Sequence, residues 1–268
     1  MSKTRRQAVK RTDKQRGEKR LFSVTLLILL VVLLLTGFKL FTNATTPQPT
    51  PTPAPATTPE IRIPAPQVPL APTVAALEAR ALPVNKQYSG LVGIVAGHHG
   101  YDPGAVCPDG LTEAEVNYNV AVEVTNLLQR LGVQTDLLDE FDPRLTGYQA
   151  DALVSIHADS CSVPGATGFK AARVTNSAIP AAEDLLVDCI NQEYTTYTGL
   201  PFHPGSITDD MTNYHAFNEI AQFTPGAIIE TGFLLEDRYL LESKPKIVAR
   251  GIAAGILCYL DQRAALPQ

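Results

Sequence analysis

Residues 90–131 read GLVGIVAGHHGYDPGAVCPDGLTEAEVNYNVAVEVTNLLQRL. Two hydrophobic periods meet in this stretch. Gly90 to Ala96 is a short apolar run bounded by glycine, the pattern of a buried strand. Thr112 to Leu131 has the pattern of a helix. Thr112 and Glu115 have the spacing of a capping box. Val116, Val120, Val124, Leu127 and Leu131 form an apolar stripe, and Gly132 stops the helix. A strand, a polar loop and an amphipathic helix make the unit from which α/β sheets are assembled.

The same alternation continues downstream. Val133 to Leu138 predicts a second strand, Ala152 to Ile156 a third and Gly168 to Val174 a fourth. Pro180 opens a helix to about Tyr197, and Ala227 to Ile229 is a further buried strand. Pro245 to about Leu260 is the last helix, with Ile247, Ile252, Ile256 and Leu260 turned inward. The reading is one α/β layered domain over residues 87–263, with a central mostly parallel sheet flanked by helices and a short tail at 264–268. Gly199 to Pro225 lacks periodicity, and loops of that length in compact domains are often functional.

Upstream, the composition changes twice. Residues 1–20 hold nine Lys or Arg against Asp13 and Glu18, a net of +7; the chain's formal −5 less this +7 leaves −12 on the rest. So acidic a remainder excludes wrapping of nucleic acid, which runs on clustered cations. Leu21 to Phe38 carries no charge. A run of about 18 apolar residues is long enough to span a bilayer, so a transmembrane helix is expected over 21–41, with the basic tail cytoplasmic by the positive-inside rule. A cleaved signal peptide is the competing reading. It usually has a shorter apolar stretch ending in small residues, of which Thr42-Asn43-Ala44 is a weak version. Either way the domain leaves the cytoplasm. Residues 42–86, rich in Pro, Thr and Ala, are expected to form an extended spacer, with Thr73 to Arg80 as a possible short helix. About 40 residues at roughly 3 Å each reach on the order of 100 Å.

Three expected strands end in ionisable residues: Gly97-His98-His99-Gly100, Ser155-Ile156-His157-Ala158-Asp159 and Ile229-Glu230-Thr231-Gly232. Ligands of open α/β sheets bind beyond the carboxyl ends of strands. His98, His157 and Glu230 therefore converge if these strands are parallel neighbours. Glu113, one residue past the helix cap, points back towards the first loop. His98, Glu113 and His157 make a His₂Glu set, the ligand type of catalytic zinc sites, and Glu230 is the candidate acid/base. Each residue has a plainer reading. A histidine after a strand is commonly a hydrogen-bonded loop residue, and Glu113 suits the helix dipole. Glu230 is the most telling, because an acid after Ile228-Ile229 in a buried strand is costly without a role.

These segments resemble a known family. Gly97-His-His-Gly-Tyr-Asp-Pro-Gly-Ala105 is similar to the G-H-G-G-x-D-P-G-A motif of the zinc-dependent N-acetylmuramoyl-L-alanine amidases of the Amidase_3 family. Glu113-Ala-Glu-Val-Asn117 resembles its E-K-D-V-N segment, Ser155-Ile-His-Ala158 its S-I-H-A, and Pro225 to Phe233 its P-A-V-L-V-E-T-G-F. The resemblance covers about Leu91 to Leu260, with the motifs in family order. It implies one Zn²⁺ on His98, Glu113 and His157, with Glu230 catalytic. It also implies a peptidoglycan substrate, cut between the N-acetylmuramic acid lactyl group and L-alanine. A zinc carboxypeptidase acting on stem peptides and a non-catalytic wall-binding module are the alternatives.

The chain departs from the family at His99 in place of glycine, at Asp159 in place of asparagine, and in a shorter connection from Asp142 to Ala152. It departs again at Asp209 to Asn218, where Asn213 and His215 are expected on the substrate groove; His203 is expected on the surface. The four cysteines allow three connectivities. Cys107 lies between ligand-bearing segments and Cys161 four residues after His157, so Cys107–Cys161 is expected, with Cys189–Cys258 between two helices as companion. Metal ligation by Cys107 is the other reading.

Overall fold

The computed structural model describes residues 72–82 and 86–265. The basic tail and the expected span at 21–41 lie outside the described residues, as does most of the spacer. No helix among the described residues is long and apolar enough to cross a membrane.

At the end of the expected spacer the possible short helix forms. Helix α1 (Val74–Ala79) is capped by Thr73, whose side chain accepts from Ala76 N. Leu77 and Leu82 are buried. Arg80 Nη1 donates to Thr196 O at 2.6 Å, Tyr197 Oη donates to Ala81 O at 3.1 Å, and Lys244 pairs with Glu78 at 2.6 Å. Two buried leucines, a cap and an ion pair dock this segment.

The domain then runs β1 (Leu91–Ala96), α2 (Glu113–Arg130), β2 (Gln134–Asp139), β3 (Ala152–Asp159), β4 (Lys170–Ala172), α3 (Pro180–Thr198), α4 (Asp209–Thr212), α5 (His215–Glu219), β5 (Gly226–Phe233), α6 (Arg238–Ser243) and α7 (Pro245–Gln262). Thr112 caps α2 through a bond from Glu115 N, as its sequence predicts. The sheet order is β2-β1-β3-β5-β4, with the first four strands parallel and β4 antiparallel at the edge. The expected fourth strand, 168–174, shrinks to three residues because the chain leaves the sheet to pair Thr175 N with Thr212 O. β3 and β5 run longer than expected: His157 and Glu230 lie within their strands as mutual register partners, not beyond the ends.

Strand alternation sorts the side chains onto two faces. Val92, Ile94 and Ala96 of β1, Ala152, Val154 and Ile156 of β3, and Ala227 and Ile229 of β5 belong to one large core with the apolar stripes of α2, α3 and α7. The opposite parity carries Val95, Leu153 and Ile228 into a smaller core. It is covered by Leu145, Met211, Tyr214 and Ala216, from the short connection after β2 and the aperiodic segment before β5. His157 and Glu230 share this second parity, so both face the thin side of the molecule. Disulfides join Cys107 to Cys161 beside the site and Cys189 to Cys258 between α3 and α7.

Candidate metal centre and its cleft

His98 leaves β1 with a φ of +64°. Few non-glycine residues adopt that conformation, and such strain concentrates at functional sites. Two neighbouring glycines make room for the side chains gathered here. A Cβ on Gly97 would run into the His157 imidazole, and one on Gly104 would sit 2.7 Å from Glu113 Oε2.

His98 Nε2 lies 3.3 Å and His157 Nδ1 3.1 Å from Glu113 Oε1. One donor atom from each residue falls within 4.8 Å of the others. Glu113 is buried at the first turn of α2 and receives Asn117 Nδ2 at 3.2 Å, Ala158 N at 3.2 Å and, on its other oxygen, Ala105 N at 3.1 Å. Burial opposes its charge, but hydrogen bonds from His157 and His98 outweigh that and hold its carboxyl below the usual range. In return the bond to Glu113, working against burial, pushes His98 up to about 9. Burial likewise opposes a charged His157, and the bond to Glu113 with the charges of Glu230, Glu113 and Glu140 raises it regardless. The three groups therefore attract positive charge into one buried point. A carboxylate with two imidazoles is a donor set that suits zinc, so the residues present fit a resident divalent cation. Cys107 is held in its disulfide and offers no thiolate.

The outer nitrogens of both imidazoles face carboxylates. His98 Nδ1 is 2.7 Å from Asp102 Oδ1, which also accepts from Gly104 N at 2.8 Å. His157 Nε2 is buried without a hydrogen-bond partner among the described residues, with Glu140 Oε2 at 3.6 Å. Carboxylates behind ligating histidines fix the tautomer and ring orientation. Glu140 is buried at the end of β2. It also accepts from His98 N at 2.8 Å and bonds His215 Nε2 at 3.0 Å. Asp102, Asn117 and Glu140 were missed as site residues from sequence. Glu140 obeys the strand-end rule that found His98, but β2 was read as ending at Leu138.

Glu230 stands on β5 between His157 and Lys170, the Cα partners on its two sides. Its Oε2 is buried without a hydrogen-bond partner among the described residues. Burial pushes its carboxyl up to about 7, opposed by His157 and reinforced by Glu113 and Asp159. Buried Lys170 pairs with Asp159 at 2.6 Å and donates to Ser206 O at 2.8 Å. The acid at position 159 thus neutralises an otherwise isolated buried cation.

A cleft of about 440 Å³ opens over these groups, lined by His98, His157, Glu140 and Glu230 and, from the aperiodic segment, Asn213 and His215. His215 is held from both sides, by Glu140 and by Glu219 Oε1 at 2.8 Å from Nδ1. His203 is exposed and bonds Ser206.

Comparison with known proteins bears on the whole arrangement. Residues 92–258 match the Amidase_3 family, described as N-acetylmuramoyl-L-alanine amidase. A stretch of 81 residues is 40% identical to the N-acetylmuramoyl-L-alanine amidase AmiC of Neisseria meningitidis serogroup B; it spans 27% of this chain and only 20% of that relative. The fold is shared with the CwlD amidase of Clostridioides difficile, solved in complex with the GerS lipoprotein (TM-score 0.53, 21% identity, 64% of this chain and 98% of that one). It is shared too with Ami1 of Mycobacterium smegmatis (TM-score 0.54, 20% identity, 66% and 100%). The catalytic domain of CwlV, an N-acetylmuramoyl-L-alanine amidase of Bacillus (Paenibacillus) polymyxa var. colistinus, is 26% identical at a TM-score of 0.50, over 64% of this chain and 98% of that one. With its four motifs on one sheet end and the family match running from β1 into α7, the chain belongs to the N-acetylmuramoyl-L-alanine amidase family Amidase_3.

Proposed function

We propose that this domain hydrolyses the amide between the lactyl group of N-acetylmuramic acid and L-alanine of the stem peptide in peptidoglycan, using one zinc ion. The observation that carries the reading is the convergence of His98, Glu113 and His157 beside a buried Glu230 whose Oε2 has no hydrogen-bond partner among the described residues. His98, Glu113 and His157 would hold the ion, with Asp102 and Glu140 placed to orient the two rings. Bound there, zinc supplies a Lewis acid that polarises the scissile carbonyl and lowers the pKa of water. Glu230 takes a proton from the attacking water and returns it to the alanine nitrogen as the C–N bond breaks. The products are a lactyl carboxylate and a free stem-peptide amine. Burial raises the Glu230 carboxyl while a bound cation would favour its ionised form, a balance that suits a group taking and returning a proton near neutral pH. Asn213 and His215 contact substrate from the cleft wall.

The basic tail at 1–20 and the apolar run at 21–41 support a single-pass anchor with the domain outside the cytoplasm, and the Pro/Thr/Ala-rich stretch supports a spacer reaching the wall. Release of stem peptide from purified muropeptides by the full-length protein tests the activity, with zinc, with chelator and as Glu230→Ala. Free stem peptide that needs both zinc and Glu230 is expected; release of a single amino acid instead would make the enzyme a carboxypeptidase.

A further inference from the structure

The cleft continues outward along a row of rings. Tyr214 stands edge-on to the His157 imidazole at 5.5 Å between centroids and edge-on to His215 at 4.5 Å. His215 stacks on Phe141 at 4.1 Å and 23° between planes, and Phe141 meets Tyr101 at 4.5 Å. The inner end of the row is buried, while Phe141 is 48% and Tyr101 67% exposed. Two exposed rings in contact make a contiguous apolar patch, the kind of surface that marks a binding site. Here the rings cover one another only on their inner sides. The row is also held in place: Glu140 and Glu219 clamp His215, and Glu140 N donates to His99 O, tying the β2 end to the loop that bears Tyr101.

We propose that Tyr101 and Phe141 form a saccharide-stacking subsite that seats pyranose rings of the glycan strand next to the metal centre. The surroundings select this occupant. Asp102, Asp139 and Glu219 border the row with side chains 44%, 54% and 33% exposed. A lipid or a dry protein interface would strip those carboxylates of water without replacing its hydrogen bonds, at a cost. A pyranose offers a C–H face to the rings and hydroxyl donors to the carboxylates, which only accept. The rings are prearranged, so binding orders little on the protein side. The subsite rests on the reading of the cleft as peptidoglycan-directed, because the bond cut there hangs from a sugar of that strand.

The test uses the full-length protein and a neutral hexamer of β-1,4-linked N-acetylglucosamine, a strand with neither peptide nor lactyl carboxyl. Binding is followed by calorimetry. Tyr101→Ala and Phe141→Ala should each weaken the hexamer at least about 10-fold, while Phe141→Tyr retains it. Phe223→Ala removes a ring that is 73% exposed just before β5, at the other end of the strands, and should change nothing. No hexamer binding by the unaltered protein, unchanged binding by the alanine variants, or free stem peptide taking the Tyr101–Phe141 surface instead would each overturn the proposal. Stem-peptide release is scored separately. Release without hexamer binding rejects the subsite and leaves the amidase reading standing; ring-dependent hexamer binding without release does the reverse.

Discussion

The two faces of the sheet are built from the same five strands but closed by different means. One face is covered by three long helices, α2, α3 and α7, whose apolar stripes merge into a single large core. The other is covered by a 3-10 turn at Pro143–Leu145, the four-residue α4 and the five-residue α5, over a core of nine buried residues among those described. His157 and Glu230 face the second. A thick face holds the strands in register, and a thin one can leave a cleft open over them. Stability and chemistry are thereby divided between alternate residues of β3 and β5, so that neighbours such as Ile229 and Glu230 answer to different demands.

If that division holds, substitutions on the two faces separate activity from stability. Glu230→Ala on the thin face should lower stem-peptide release about 10²–10⁴-fold while the melting temperature stays or rises, since it removes a buried carboxylate oxygen with no partner among the described residues. A matching loss of melting temperature would break the comparison. Leu128→Ala in the thick core deletes a fully buried side chain and should cost about 2–5 kcal/mol in denaturant unfolding, with kcat of the folded fraction unchanged.

Glu140→Gln keeps the size of the side chain but replaces the acceptor behind His157 and His215. Chelator competition should show zinc held about 10–100-fold more weakly; unchanged affinity would reduce Glu140 to a support for His215. The smallest effect concerns pH. Glu230 must be ionised to accept the water's proton, and burial raises its carboxyl to about 7. A bound divalent cation favours the carboxylate. The rate should therefore fall on the acid side, with the limb of kcat/KM at or below about pH 7 and absent from the residual activity of Glu230→Ala. A limb well above pH 7 would assign it to another group.

The thick face was the legible one. The 3.6-residue stripes of Val116 to Leu131 and Ile247 to Leu260 announce helices because burial of a helix leaves that period in the sequence. The metal-binding candidates were legible by type and place, since His98, Glu113 and His157 sit where strands end or a helix begins. The thin face left no period. Residues 199–225 make two very short helices whose anchors, Met211, Tyr214 and Ala216, are spaced by tertiary contacts and not by any repeat. The possible short helix at Thr73 to Arg80 does form, and what holds it to the domain, bonds to Thr196 and Tyr197 more than a hundred residues away, leaves no local mark in the sequence.

The amino-acid sequence by itself determined the α/β alternation, the cap of α2, the acidic character of the domain and the side chains able to hold a cation, because all of these follow from local periodicity and residue chemistry. Only the tertiary structure decided that His157 and Glu230 are register partners on the thin face, that Glu140 stands behind both His157 and His215, and that Tyr101 and Phe141 extend the cleft to its rim. Strand order and the packing of an aperiodic segment are set by contacts between residues far apart in the chain, and such contacts leave no period in the sequence from which they could be read.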